Sequence, residues 1–184
     1  WLVSVCLLFI PAALQADSLS PQEVADWRQK VENTVSGGDY QPVLDGLKNA
    51  ALSPHAQDCQ VLARQIYTEI ISAQPGSRNA LYASKGLLFI QIASKDPAAD
   101  TTLAGLKSAF SDHPELAKAL RETGDVYFYW VHDSSHAQAL YRQILENYPG
   151  HAECIWAQRG LVLTALETGD RAAANSAAET LLTN

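Results

Sequence analysis

Slid against itself at an offset of 37 residues, the second half of this sequence falls into register, and that periodicity restricts its folds more than any other feature. Asp96, Asp133 and Asp170 align. So do Phe89, Val126 and Leu163, a small-residue column of Ala80, Ala117 and Cys154, and an apolar column of Leu103, Leu140 and Ala177. The outer copies agree most closely: Pro75-Gly76, Tyr82-Ala83 and Lys85-Gly86-Leu87 return as Pro149-Gly150, Trp156-Ala157 and Arg159-Gly160-Leu161. A glycine inside a helix costs about 1 kcal/mol against alanine. Its return at Gly86 and Gly160 therefore predicts a close helix contact at each position.

The punctuation between the apolar stretches is explicit. Ser20-Pro21, Gly37-Gly38-Asp39, Ser53-Pro54, Pro75-Gly76, Asp96-Pro97, His113-Pro114, Asp133-Ser134, Pro149-Gly150 and Gly169-Asp170 separate about nine helices. These are predicted over 21–36, 40–51, 55–73, 77–94, 98–111, 114–131, 134–147, 150–168 and 170–182. Ala and Leu dominate and β-branched runs are short, which agrees with an all-helical class. Short connections make sequential helices antiparallel, so the chain reads as a string of helical hairpins. With 184 residues, 47% of them hydrophobic, there is enough chain for one domain with a sizeable core.

The first sixteen residues differ from the rest. Trp1 to Leu14 carries one hydroxyl, one proline and no charge, and polar Asp17-Ser18 follows Gln15-Ala16. This is the pattern of a secretory signal peptide, with cleavage expected after Ala16. The stretch is short for a membrane span of about 20 residues, so no stable span is expected after cleavage. The start at Trp1, with no Met and no basic lead-in, predicts a leader truncated at its beginning. Export permits disulfides, yet Cys59 and Cys154 lie more than two repeats apart, and both read as buried small apolar residues.

The formal charge of −7 and the absence of any basic stripe argue against a nucleic-acid partner. His132 and His136 flank Asp133 at a spacing of four, which can turn two imidazoles toward a metal, but the pair straddles a turn and no third ligand follows at a recognisable spacing. Ser, His and Asp cluster over 132–136 without the strained elbow of a G-x-S-x-G nucleophile. Cysteine redox motifs and glycine-rich phosphate loops are also lacking, so no enzyme activity and no cofactor is expected.

Each unit reads as a helix, an Asp-containing turn, a second helix and a stopping proline. Asp133, Ala137, Tyr141, Ile144 and Pro149 resemble the second half of a tetratricopeptide repeat, and Gly169-Asp170, Ala174, Ala178 and Leu181 look similar. Gly38-Asp39-Tyr40, Val43, Leu47 and Ala50 resemble the same half-motif outside the 37-residue frame. The first helices lack the family's Trp-Leu-Gly-Tyr spacing, so the repeats are tetratricopeptide-like. The stretch Tyr141 to Pro149 also resembles repeats of bacterial envelope-assembly proteins.

The resemblance implies a right-handed α-solenoid of antiparallel hairpins, with an irregular helical region over 17–74 and three repeats of about 37 residues over 75–184. It implies an interaction scaffold in the cell envelope, periplasmic or secreted, that holds a protein or peptide partner in a concave groove. Carried onto this chain, the groove positions are Tyr82, Lys85 and Phe89, then Glu122, Tyr129 and Trp130, then Trp156, Arg159 and Leu163. Lys85, Glu122 and Arg159 form a ladder of alternating sign, able either to pair between repeats or to anchor a peptide. Tyr127 to Trp130 put four aromatics on one turn, so they cannot share a face; Tyr127 and Phe128 are assigned to the core, Tyr129 and Trp130 to the surface. The alternative is an accessory repeat segment of a larger exported protein or enzyme whose catalytic part lies outside this chain, since the alanine-rich last helix, with Leu181-Leu182, is apolar enough to want a neighbour.

Overall fold

The computed structural model describes residues 20–37, Asp45, Gly46, Lys48 and residues 57–183. The expected leader over 1–16 and most of the helix expected over 40–51 lie outside the described residues; Asp45, Gly46 and Lys48 are helical. The fold is all-helical. Among the described residues eight helices follow one another: α1 (Pro21–Gly37), α2 (Gln57–Ala73), α3 (Arg78–Ala93), α4 (Ala98–Ala109), α5 (Leu116–Val131), α6 (Ser134–Asn147), α7 (Glu153–Glu167) and α8 (Arg171–Thr183). The chain divides into two compact units, one up to Ile90 and one from Gln91 onward.

In the first unit α1 starts on a capping box. The Ser20 hydroxyl oxygen accepts from the Glu23 amide at 3.3 Å, and the Glu23 carboxylate accepts from the Ser20 amide at 2.7 Å. The Ser20 hydroxyl, donating to the Glu23 carboxylate at 2.7 Å, and then the Ser20 amide hold that carboxyl below its ordinary range. Leu62, Ala63, Ile66, Tyr67 and Ile70 form a stripe at helical spacing along α2, and it packs with Tyr82, Ala83 and Ile90 of α3. Val24 and Trp27 of α1 close over this core. The Arg28–Glu69 ion pair, 3.3 Å long, spans α1 and α2 at the surface. Gly86 is required where it stands: a Cβ there would lie 2.6 Å from the ring Cζ of Tyr67.

In the second unit α5 packs on α6, α6 on α7 and α7 on α8, while α5 also meets α7. The centre of this arrangement is Tyr141 of α6, which is fully buried. A Cβ on Gly124 of α5 would lie 2.7 Å from one edge of its ring, and a Cβ on Gly160 of α7 would lie 2.4 Å from the other. The phenol donates to Asp125 of α5 at 2.8 Å. Two helical glycines cost about 2 kcal/mol together. Burial of a large side chain contributes about 2–3 kcal/mol, and a hydrogen bond to a charged acceptor about 1.5 kcal/mol more. The wedge outweighs the glycines it needs.

The aligned aspartates turn out to be helix caps. Lys95 and His132 (both φ 55°) and Gly169 (φ 77°), 37 residues apart, are left-handed residues that end α3, α5 and α7. After Lys95 and Gly169 the chain closes a Schellman turn, with the Asp96 amide bonded to the Gln91 carbonyl and the Asp170 amide to the Ala165 carbonyl. Each turn is followed by an aspartate whose carboxylate accepts an amide from the next helix: Ala98 on Asp96, His136 on Asp133 and Ala173 on Asp170. At the opposite end, the Nδ1 atoms of His113 and His151 accept the Glu115 and Glu153 amides. That is why α5 and α7 begin at 116 and 153, two or three residues later than their prolines suggest.

Three substitutions test these supports. Gly160→Ala, although a better helix former, should lower stability by about 2 kcal/mol through overpacking against Tyr141. Adding Tyr141→Ala should remove most of that penalty in a double-mutant cycle read by denaturant unfolding. Asp133→Ala should cost about 1 kcal/mol at neutral pH. Burial pushes the Asp133 carboxyl up, but its bonds from His136 outweigh this and hold it below the ordinary range. Its contribution is therefore present above the usual carboxylate pKa of about 4 and lost as pH falls through the lower folded value. The gap between wild type and Asp133→Ala should close in acid unfolding series.

Candidate functional site

On α5, Glu122, Asp125 and Tyr129 fall at helical spacing on one face, and on α7 Trp156, Arg159 and Leu163 do the same. The two helices pack on each other. Tyr129, Trp130 and Trp156 are 49%, 54% and 52% exposed, unusual for rings of this size. Tyr127 is buried and Phe128 half-buried, meeting Tyr129 edge-on at 4.7 Å. Tyr127 thus lies in the core and Tyr129 and Trp130 at the surface, while Phe128, expected in the core, sits at its edge. Arg159 is exposed with its guanidinium 5.9 Å from the Trp156 ring centre, and Leu163 is half-buried.

The same two helices share a charged network, of which only the i,i+4 pair Arg121–Asp125 is a local sequence pattern. Arg121 of α5 donates through Nε to Glu153 of α7 at 2.6 Å, through Nη1 to Asp125, and through Nη2 to Glu122 at 3.5 Å. Asp125 also accepts from Tyr141, so α5, α6 and α7 share one chain of polar contacts. Burial opposes the charge on Arg121, but Asp125 and Glu153 more than compensate and push its pKa up. Burial likewise pushes the Asp125 carboxyl up, beyond what Arg121 and Tyr141 hold down. Three carboxylates around one guanidinium leave this part of the face acidic.

The other expected positions lie in the first unit, and all three are buried. Lys85 is 3% exposed, with its ammonium 4.4 Å from the ring centre of Tyr82 and 5.9 Å from that of Phe89. Of the expected ladder, Glu122 meets Arg121 on its own helix, and it is Arg121 that reaches across to α7. Cys59 is buried as expected, whereas Cys154 is half-buried and donates to the Tyr148 carbonyl. His136 bonds Asp133 at 2.6 Å and His132 faces Glu167 at 3.5 Å. Among the described residues no group of three or more His, Cys, Asp or Glu is placed to hold a metal ion. No described helix is long and apolar enough to cross a membrane.

No protein-family model matches the chain, and no curated protein or solved structure matches it either. Arg121→Met should leave three carboxylates without their shared cation and cost about 3 kcal/mol in chemical denaturation. Replacing Glu122 alone, at the edge of the network, should cost under about 1 kcal/mol.

Proposed function

We propose that this protein is a non-catalytic interaction module that holds a peptide or helix of a protein partner against the exposed face of α5 and α7. The observation that carries this reading is the set of half-exposed aromatics, Tyr129, Trp130 and Trp156, mounted on packed helices. Large rings of this kind supply most of the binding energy at protein interfaces, because they bury much area at little entropic cost. The Arg121 network fixes the helices, so little ordering is required when a partner docks. Acidic Glu122 on α5 and basic Arg159 on α7 offer both signs for orienting a peptide.

The same reading takes the sequential packing of α5 to α8 as part of a right-handed, tetratricopeptide-like solenoid, in which first helices line the binding face. The apolar opening of the sequence supports export to the cell envelope. Affinity capture from envelope extract, followed by identification of what is retained, tests both. Wild-type protein should hold a defined partner, and Trp130→Ala combined with Arg159→Glu should reduce that capture at least about tenfold at unchanged thermal stability. Undiminished capture by the double variant would remove this face from consideration.

A further inference from the structure

Two cavities, of about 380 and 660 Å3, open along α6, α7 and α8, and Gln158 and Thr180 border both. Cavities of this size accept a small ligand or a few residues of a chain. The lining residues of α6, Gln138, Arg142 and Leu145, recur at helical spacing, so one face of that helix serves both. The smaller cavity carries Gln138, Arg142 and Thr168; the larger is walled mainly by the apolar Leu145, Pro149, Ile155 and Leu181. An occupant of both must be amphipathic.

Where the cavities share a wall stands a polar side chain that is only half satisfied. Gln158 of α7 is 8% exposed, and its Nε2 donates to the Ala177 carbonyl of α8 at 2.9 Å, which fixes the amide. Its Oε1 accepts no hydrogen bond among the described residues, and it is not sealed from solvent. An acceptor so nearly buried calls for an N–H from the occupant. Arg142 is incomplete in the complementary sense. Its exposed guanidinium gives one N–H to Gln138 at 3.2 Å and meets no carboxylate among the described residues, so most of its donor fork is unused. Asp170, which also lines the smaller cavity, is already engaged in capping α8 through the Ala173 amide.

A carboxylate suits Arg142 and an aliphatic group suits the larger cavity, but a plain aliphatic acid brings no N–H for Gln158. A peptide bond does. In an extended chain, side chains two residues apart point the same way and stand roughly 7 Å apart. Along α6, the step from Arg142 to the stretch between Leu145 and Pro149 is roughly 5–10 Å at about 1.5 Å per residue. We propose that the groove of α6, α7 and α8 binds an extended segment of a protein partner. An acidic side chain pairs with Arg142, a main-chain N–H meets Gln158 Oε1, and an apolar side chain two residues away fills the larger cavity. Neither cavity is lined by Tyr129, Trp130 or Trp156, so this site is independent of the aromatic face.

Isothermal titration with acetyl-Gly-Leu-Gly-Glu-Gly-amide tests this, against one peptide with glutamine for the glutamate and another with glycine for the leucine. The first should bind saturably with a Kd below about 1 mM, and each of the others about tenfold more weakly. Arg142→Gln should bring the glutamate peptide down to the level of the glutamine one, and Gln158→Met should weaken it about fivefold. Absence of saturation, equal binding of the glutamine peptide, or unaltered affinity in Arg142→Gln would overturn the proposal. Tighter binding of octanoate would give the groove to a free aliphatic acid, and dimerisation that Arg142→Gln abolishes would give it to a second copy; either overturns it equally. Arg142 is exposed, so its variant remains informative if Gln158→Met loosens α8.

Discussion

In the second unit, the packing of α5, α6 and α7 hangs from the ring of Tyr141. Its two edges press on helix positions where even a methyl group would collide, so α5 and α7 approach α6 only as closely as bare backbone permits. Its hydroxyl then reaches past the apolar contact to Asp125, which hands the interaction on to Arg121 and so to Glu153. A packing contact and a polar network are coupled through one side chain. The first unit uses the apolar half of the same device, with the Tyr67 ring against Gly86. There burial, with the charge of Asp45 adding to it, pushes the phenol well above its ordinary range.

This coupling explains why large aromatics remain on the outside of α5 and α7. The inward faces of these helices are already filled by Tyr141 and by small residues such as Ala117, Ala119 and Ala157. Four aromatics in one turn of α5 exceed what that interior accepts, and the surplus is displayed. Exposed rings cost solubility unless they serve an interface, and here they sit beside charges of both signs.

Much of the architecture is legible in the sequence because turn chemistry is local. Proline, glycine and aspartate at the ends of apolar stretches place the helices to within a few residues, and the 37-residue column of aspartates is a column of caps. The repeated Gly86 and Gly160 signal close approach, although nothing local names the tyrosines that approach them. The pairing of Arg121 with Glu153 leaves no signature, since a pair 32 residues apart depends on how helices pack. Tyr82 and Lys85 occupy positions equivalent in sequence to the exposed Trp156 and Arg159, but α3 buries Ala80 through Gly86 without interruption, so periodicity alone does not fix exposure. Gln158 is harder still to foresee: an unmet acceptor is visible only once all its neighbours are placed.

The left-handed residues ending α3, α5 and α7 differ in one respect. Gly169 takes up its positive φ without steric cost, whereas Lys95 and His132 hold theirs against a penalty of about 1 kcal/mol each. Local conformational preference would choose glycine at all three. The two turns that keep a side chain border the same cleft as the aspartates that follow them, so its rim holds a small backbone strain that the turn before α8 does not.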